Sequence, residues 1–281
     1  MTSIEATTST VAPSTGDVTR IAEVKRLWAL TWTLALTDWK LRFYGSVLGI
    51  LWTLVRPFAF FGVIYFVFTE IAGLDKNVPN YGIYILFALV LFTFFGEVTG
   101  SSVQSLVARE SLLRKMQFNP IVIPLSIAMT ALLNLGMTLI AVLVFVFAKG
   151  VYPTWGWLEF PFLVLGLAMF AVGVGMILSA LYVRYRDMQP IWEVVSQILF
   201  YASSVLYVAT TVPPRFQKWL LLNPISALFA QMHHAVVDSR APTVTDLMGW
   251  RALVPLAVII GAFVLGFWFF ARESPRVAEN L

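Results

Sequence analysis

Cysteine is absent from this chain of 281 residues, which removes disulfide frameworks, cysteine-ligated zinc or iron–sulfur centres and thiol nucleophiles together. Charge is scarce as well. Asp, Glu, Lys and Arg make up 12% of the residues, about half of the ~25% usual in a soluble domain. Histidine occurs only as the adjacent pair His233 and His234. On a helix their side chains diverge by about 100°, a poor arrangement for one metal. The sequence has no G-x-x-x-x-G-K-[ST] loop to cradle a phosphate, no H-E-x-x-H, and no serine in an apolar stretch paired with a base. The chain therefore cannot hydrolyse ATP alone, carries no legible catalytic set, and is expected to hold neither cofactor nor metal.

What fills the sequence instead is apolar: 59% hydrophobic and 15% aromatic residues, with a mean hydropathy of +0.82. At ~20 residues per bilayer crossing, six spans are predicted, over about Ser46–Ile71, Tyr81–Ser102, Ile121–Ala148, Phe160–Val183, Ile191–Thr211 and Leu253–Ala271. The predicted class is an all-α membrane protein. Residues 1–20 are rich in Ser and Thr, lack a basic stretch leading into an apolar one, and are expected to be a disordered tail rather than a secretory signal. Residues 21–281 are expected to form one transmembrane domain. From about Ile21 to Tyr44, Trp28, Trp32, Trp39 and Phe43 share a helical stripe flanked by Lys25, Arg26, Lys40 and Arg42, the pattern of an amphipathic helix lying in the membrane interface against anionic lipid. Between the fifth and sixth spans, two apolar runs are too short to cross and are broken by Asn223 and Pro224. They predict a re-entrant helical hairpin on the outer side.

The few cations then report topology. Arg20, Lys25, Arg26, Lys40, Arg42, Arg109, Arg114, Lys115, Arg184, Arg186, Arg272 and Arg276 fall on one side. Lys76, Lys149, Arg215, Lys218, Arg240 and Arg251 fall on the other, with Arg56 inside a span. The richer side holds both termini and is expected to be cytoplasmic. Although the formal net charge is +4, so few charges, placed this way, speak for membrane topology and against a nucleic-acid partner. On the cytoplasmic side, residues 109–126 (RESLLRKMQFNPIVIPLS) form a short charged segment ended by Asn119 and Pro120. Leu112, Leu113 and Met116 can present an apolar edge between Arg109, Arg114 and Lys115, as a helix docking into a partner's groove requires. The same composition suits a solvated cytoplasmic loop.

That stretch, together with DWKLRFYGSVLGILWTLVRP (38–57), VRYRDMQPI (183–191) and VPPRFQKWLLLNPISALFAQMHHAVV (212–237), resembles the permease subunit of type-2 ABC exporters of lipid-linked polysaccharides, O-antigens and teichoic acids. The order and spacing of the four segments carry the resemblance over nearly the whole chain. It implies that residues Glu110 to Phe118, including Leu112, Leu113, Arg114, Lys115 and Met116, sit on a separate ATP-binding subunit, which also binds the ATP and Mg. A second contact would come from Arg184, Arg186, Asp187 and on to Gln189. It further implies that residues 28–44 pass motion to the first span, that 213–237 dips in from the outer face, and that the first and fifth spans line a conduit between two copies of the chain. Where family members often have Asn before the first-span proline, this sequence has Arg56.

Charges within spans are costly, about 2.5–3.5 kcal/mol at the centre of a helix on insertion scales, so Arg56, Glu97 and Glu193 are candidate functional residues. Arg56 near a span end can also snorkel to the interface. Trp52, Phe58, Phe61 and Tyr65 on the first span, and Trp192, Phe200, Tyr201 and Tyr207 on the fifth, can stack on sugar rings or simply pack. The leading expectation is a homodimeric exporter subunit in a bacterial cytoplasmic membrane, moving a polyprenyl-linked glycan. Alternatives are the same machine carrying a drug, peptide or lipid, a membrane enzyme of lipid-linked sugar metabolism, and a secondary transporter. The scattered carboxylates disfavour the enzyme, and the lack of a convincing internal repeat disfavours the secondary transporter.

Overall fold

A computed structural model describes residues 15–43, 49–71, 73, 78–111 and 119–280, and those residues form helices without any strand. The elements are α1 (Thr15–Phe43), α2 (Gly49–Phe66, continued by a π turn to Ile71), α3 (Tyr81–Val103), α4 (Val122–Ala148), α5 (Phe160–Arg184), α6 (Met188–Ala202), α7 (Pro214–Leu220), α8 (Pro224–Met232, continued by a π turn to Val237) and α9 (Leu253–Asn280). The all-helical membrane fold read from the composition is present, since α2, α3, α4, α5 and α9 lie in stretches long and apolar enough to cross a bilayer.

α3 is the hub. It is apolar on every face, and 78% of its most apolar stretch is buried, against 11% for α2. Tyr84, Phe87 and Phe95 are fully enclosed, with α5, α4, α6 and α2 packed around them. On the far side of α5, α9 approaches closely enough for backbones to touch. A Cβ on Gly173 would lie 2.5 Å from the Ala262 carbonyl oxygen, and one on Gly266 would lie 2.2 Å from the Gly173 oxygen. Without a hydrophobic drive between helices in lipid, such contacts of small residues supply the packing.

The fifth crossing differs from the sequence expectation. A continuous helix over Ile191–Thr211 is predicted, but α6 ends at Ala202 after 15 residues, about 22 Å at 1.5 Å per residue and short of the ~30 Å hydrocarbon core. The chain then runs non-helically from Ser203 to Val208 before a 3-10 turn, Ala209–Thr211. Backbone polar groups at membrane depth need partners, and α3 supplies them. Tyr81 donates its hydroxyl to the Leu206 carbonyl at 2.6 Å, and Tyr84 donates to the Ser204 carbonyl and, at 3.3 Å, to that of Tyr207. The Ser204 amide donates to Ser226 Oγ at 3.2 Å. Gln189, at the start of α6, lies beside Gln104 and Arg109 beyond the C-terminus of α3, while Ser204–Tyr207 meets the N-terminus of α3. The segment thus traverses the length of the hub, first as helix and then as pinned turns.

The expected break at Asn223 and Pro224 separates α7 from α8, which are bent by 110°. Asn223 caps α8, its side-chain oxygen accepting from the Ile225 amide at 3.0 Å while its Nδ2 donates to Ser203 Oγ at 2.9 Å. α8 stays at the N-terminal end of α3, where His233 packs edge-on to Tyr84 with centroids 5.2 Å apart and Gln231 donates to Glu159 at 2.7 Å. α1 begins at Thr15, six residues before its expected start, and rests on α4 through buried Thr31 and Ala35, leaving Trp28 and Trp32 exposed. Residues 1–14 of the expected tail, and Lys76 and Asn77 of the loop before α3, lie outside the described residues.

The α5–α9 crossing yields a paired test. Gly266→Leu must push the helices apart and is expected to destabilise by about 1–3 kcal/mol, the usual cost of overpacking. Gly261→Leu, on the same helix with nothing within 4 Å of its Cβ position, should leave the melting temperature in detergent unchanged. Equal melting of the two variants would contradict the backbone contact.

Candidate functional site: a polar groove beside the hub helix

One face of α3 is not covered. Between it and α2, α4 and α6 lies a groove of about 1280 Å³, walled by Trp52, Arg56 and Phe60 from α2, Thr93, Gly96 and Glu97 from α3, Asn134 and Thr138 from α4, and Glu193, Gln197, Phe200 and Tyr201 from α6. It arises from the sequence of α3 itself. Gly96 and Gly100 offer no side chain for a neighbour to pack on, and a Cβ on either would meet nothing within 4 Å.

The charge at the centre of this wall is paired through one of its oxygens. Glu97 accepts from Arg42 in the last turn of α1 and from Asn134 Nδ2 at 2.7 Å. An intramembrane carboxylate thus has a cation and a carboxamide as partners, the arrangement that makes such a charge tolerable. A matching clip lies on α6, where Gln189 Nε2 donates to Glu193 at 2.9 Å. Because each amide nitrogen faces a carboxylate, each amide oxygen is turned away. Asn134 Oδ1 and Gln189 Oε1 are both buried and unpaired among the described residues.

Towards the C-terminus of α3 a second cavity, about 470 Å³, opens beneath α1 between Asp38, Arg42, Gln104, Ser105, Arg109, Thr130 and Gln189. Here Arg109 forms an ion pair with Asp38 of α1 and donates to Ser126 of α4 at 3.2 Å. Thr130 donates to the Ala35 carbonyl at 3.2 Å. Two ion pairs and one hydrogen bond therefore seat α1 on the bundle, beside the apolar contact of Ala35.

The sequence-predicted residues divide. Trp52, Arg56, Glu97, Trp192, Glu193, Phe200 and Tyr201 line the groove. Arg56 is exposed, with no ion pair or hydrogen bond among the described residues, and Trp52 and Tyr201 are 64% and 61% exposed. Phe58, Phe61, Tyr65 and Tyr207 face protein instead. Phe61 is buried against Tyr65 and Phe145, with centroids 5.5 and 5.7 Å away, Phe58 and Tyr65 pack on the core, and the Tyr207 hydroxyl donates to the Tyr201 carbonyl at 3.4 Å. Trp192 donates its indole N–H to Thr99 at 3.2 Å inside the core. Arg184, Arg186 and Asp187 are exposed between α5 and α6, with Arg184 3.9 Å from Glu273 and Arg186 over the Tyr182 ring. Glu110 is described and half-buried, whereas Leu112, Leu113, Arg114, Lys115, Met116 and Phe118 lie outside the described residues. Sequence reasoning read Arg42 as an interfacial cation and Gln189 as the end of a contact with the ATP-binding subunit, and missed Asn134. A carboxamide inside an apolar run was the available signal for Asn134.

Removal of one partner from the Glu97 node should loosen α1. Ala35 is fully buried, so Ala35→Cys in this cysteine-free chain should resist thiol reagents. In a Glu97→Leu background, Arg42 loses a charged hydrogen bond of about 1.5–3 kcal/mol, and labelling of Cys at position 35 should accelerate about tenfold or more. Unchanged labelling would show that the node does not hold α1.

Residues 29–236 match the family described as ABC-2 type transporter. The chain is 30% identical over 242 residues to an O-antigen export system permease protein of Myxococcus xanthus, covering 85% of this chain and 91% of the relative. It is 29% identical over 192 residues to one from Klebsiella pneumoniae, covering 68% and 73%. A polysialic acid transport protein of Escherichia coli is 22% identical over 205 residues, covering 73% and 80%.

Proposed function

Because the chain belongs to the ABC-2 type transporter family, we propose that it is the membrane-spanning subunit of an ATP-driven exporter that moves a lipid-linked polysaccharide across the bacterial cytoplasmic membrane. The relatives named as O-antigen and polysialic acid transporters support a glycan cargo. The observation that carries the reading is the groove, which Trp52, Phe200 and Tyr201 line together with carboxylates, carboxamides and hydroxyls. Carbohydrate demands this mixture, since its C–H faces stack on rings while its hydroxyls need hydrogen-bond partners. A purely apolar cargo gives no reason to keep Glu97, Asn134, Thr138 and Gln197 at membrane depth.

The groove is open on the side of α2, which buries little of itself within one chain. A second copy of the subunit closes it, with the α2 and α6 walls of the two copies forming a conduit. ATP with Mg binds and is hydrolysed on a separate subunit, seated on residues 110–118 and on the Arg184–Gln189 turn. Both termini and those two contacts lie on the cytoplasmic side, in keeping with the distribution of Lys and Arg. The α7–α8 pair then caps the outer mouth as a re-entrant hairpin. Its break is tied down where Asn223 caps the Ile225 amide and where Asn223 and Ser226 bond Ser203 and Ser204 of the fifth crossing.

Two measurements test this. Cys introduced at Ser14 or Glu279 should be labelled only from the cytoplasm, and Cys at Thr154 or Ser239 only from outside. Leu112→Asp with Leu113→Asp should release the ATPase partner on copurification and end export, while the protein still reaches the membrane in normal amount. Normal copurification and export in that variant would remove residues 110–118 from the coupling role.

A further inference from the structure

The two cavities share four residues: Arg42, Glu97, Gly100 and Ser101. They adjoin, and between them stands the ion pair of Arg42 of α1 and Glu97 of α3. Gly100, one turn further along α3, leaves the floor there empty. Resting on the export reading above, we propose that the polymer passes from the cavity beneath α1 into the membrane groove over Gly100, and that the Arg42–Glu97 pair is the door in this passage, opened when α1 withdraws.

The two sides of the door are held differently. Glu97 belongs to the buried hub and is fixed from behind by Asn134. Arg42 sits in the last turn of a helix whose Trp28, Trp32 and Leu41 are exposed, so of the two sides of the door α1 has less to lose by moving than the buried hub. Its other ionic anchor is Asp38–Arg109. Arg109 stands directly before the segment assigned to the ATPase subunit, so a shift of that segment reaches the door through one side chain and about one turn of α1. The closed door also carries a cost. Asn134 is 8% exposed, lines the groove, and has an amide oxygen without a donor. A buried unpaired acceptor favours any arrangement that gives it a donor, and a polymer bearing hydroxyls does so once the pair parts.

The absence of cysteine provides the test. Ala35→Cys with Thr130→Cys, at the α1–α4 contact where Thr130 donates to the Ala35 carbonyl at 3.2 Å, is produced in cells lacking the native gene and closed to a disulfide by a small thiol oxidant, which locks α1 down while Arg42 and Glu97 stay in place. Surface display of the cell's own polysaccharide is then read by lectin labelling. Locking should stop new display and reduction should restore it, while the same oxidant leaves cells with the unsubstituted chain unaffected. Independently, Gly100→Phe, which fills the floor, should lose display at normal membrane abundance, while Gly100→Ala retains it. Continued display with α1 locked down, or display by Gly100→Phe equal to that of Gly100→Ala, overturns the door. If deleting the gene leaves display intact, the export reading itself fails, an outcome separate from the other two.

Discussion

A helix that is apolar on all its faces cannot end in a stable arrangement at the edge of a bundle when other helices can enclose it, and α3 is that helix here. From Tyr81 to Val103 its only formal charge is Glu97, and its aromatic residues are too large to be covered by one neighbour. The remaining spans take positions around it, with α9 one shell further out. Packing is tight wherever two walls are complementary, as at Gly173 and Gly266, because interiors tolerate few voids. Where α3 itself lacks side chains, at Gly96 and Gly100, enclosure fails and a groove remains.

The groove and the broken fifth crossing have a common origin in this hub. A full-length α6 would run beside α3 for its whole length. Instead, Tyr81 and Tyr84 compete for the backbone of residues 204–207 and hold it in a non-helical turn. Each hydroxyl bonds a carbonyl that a continuing helix would have used internally, so the exchange is nearly neutral in hydrogen bonds. It leaves Phe200 and Tyr201 on the last turn of α6, at the groove rather than in mid-span. Non-helical backbone at membrane depth occurs where protein or a cavity surrounds it, and both conditions are met here.

Much of this was legible in the sequence. The starts and ends of α3, α4 and α5 follow from runs of apolar residues to within a residue or two, and Asn223–Pro224 marked the break between α7 and α8. The end of α6 was not legible, because YASSVLYVATT is as apolar as a helix needs to be. Its fate is decided by hydroxyls 120 and 125 positions earlier in the chain. The groove was half legible. Trp52, Arg56, Glu97, Phe200 and Tyr201 stand out by residue type, but Phe58, Phe61 and Tyr65 on the same span share that type and face protein. Aromatic composition cannot separate stacking surfaces from packing surfaces. That separation depends on which side of α2 meets α4.

The charges complete the argument. In a chain that has so few, Asp38, Arg42, Glu97 and Arg109 have converged on one junction of three helices. Ion pairs partly taken out of water contribute little net stability against apolar residues of equal size, so stability alone gives no reason to place four charges there. Ion pairs do differ from apolar contacts in two ways that matter for a moving part. They fix register sharply while formed, and each partner keeps favourable interactions with water or with a polar polymer when parted. Ala35 and Thr31 give α1 its resting seat on α4, and the charged residues allow it to leave that seat with little more than the small Ala35 surface exposed in exchange. A helix held in this way suits repeated opening better than permanent closure.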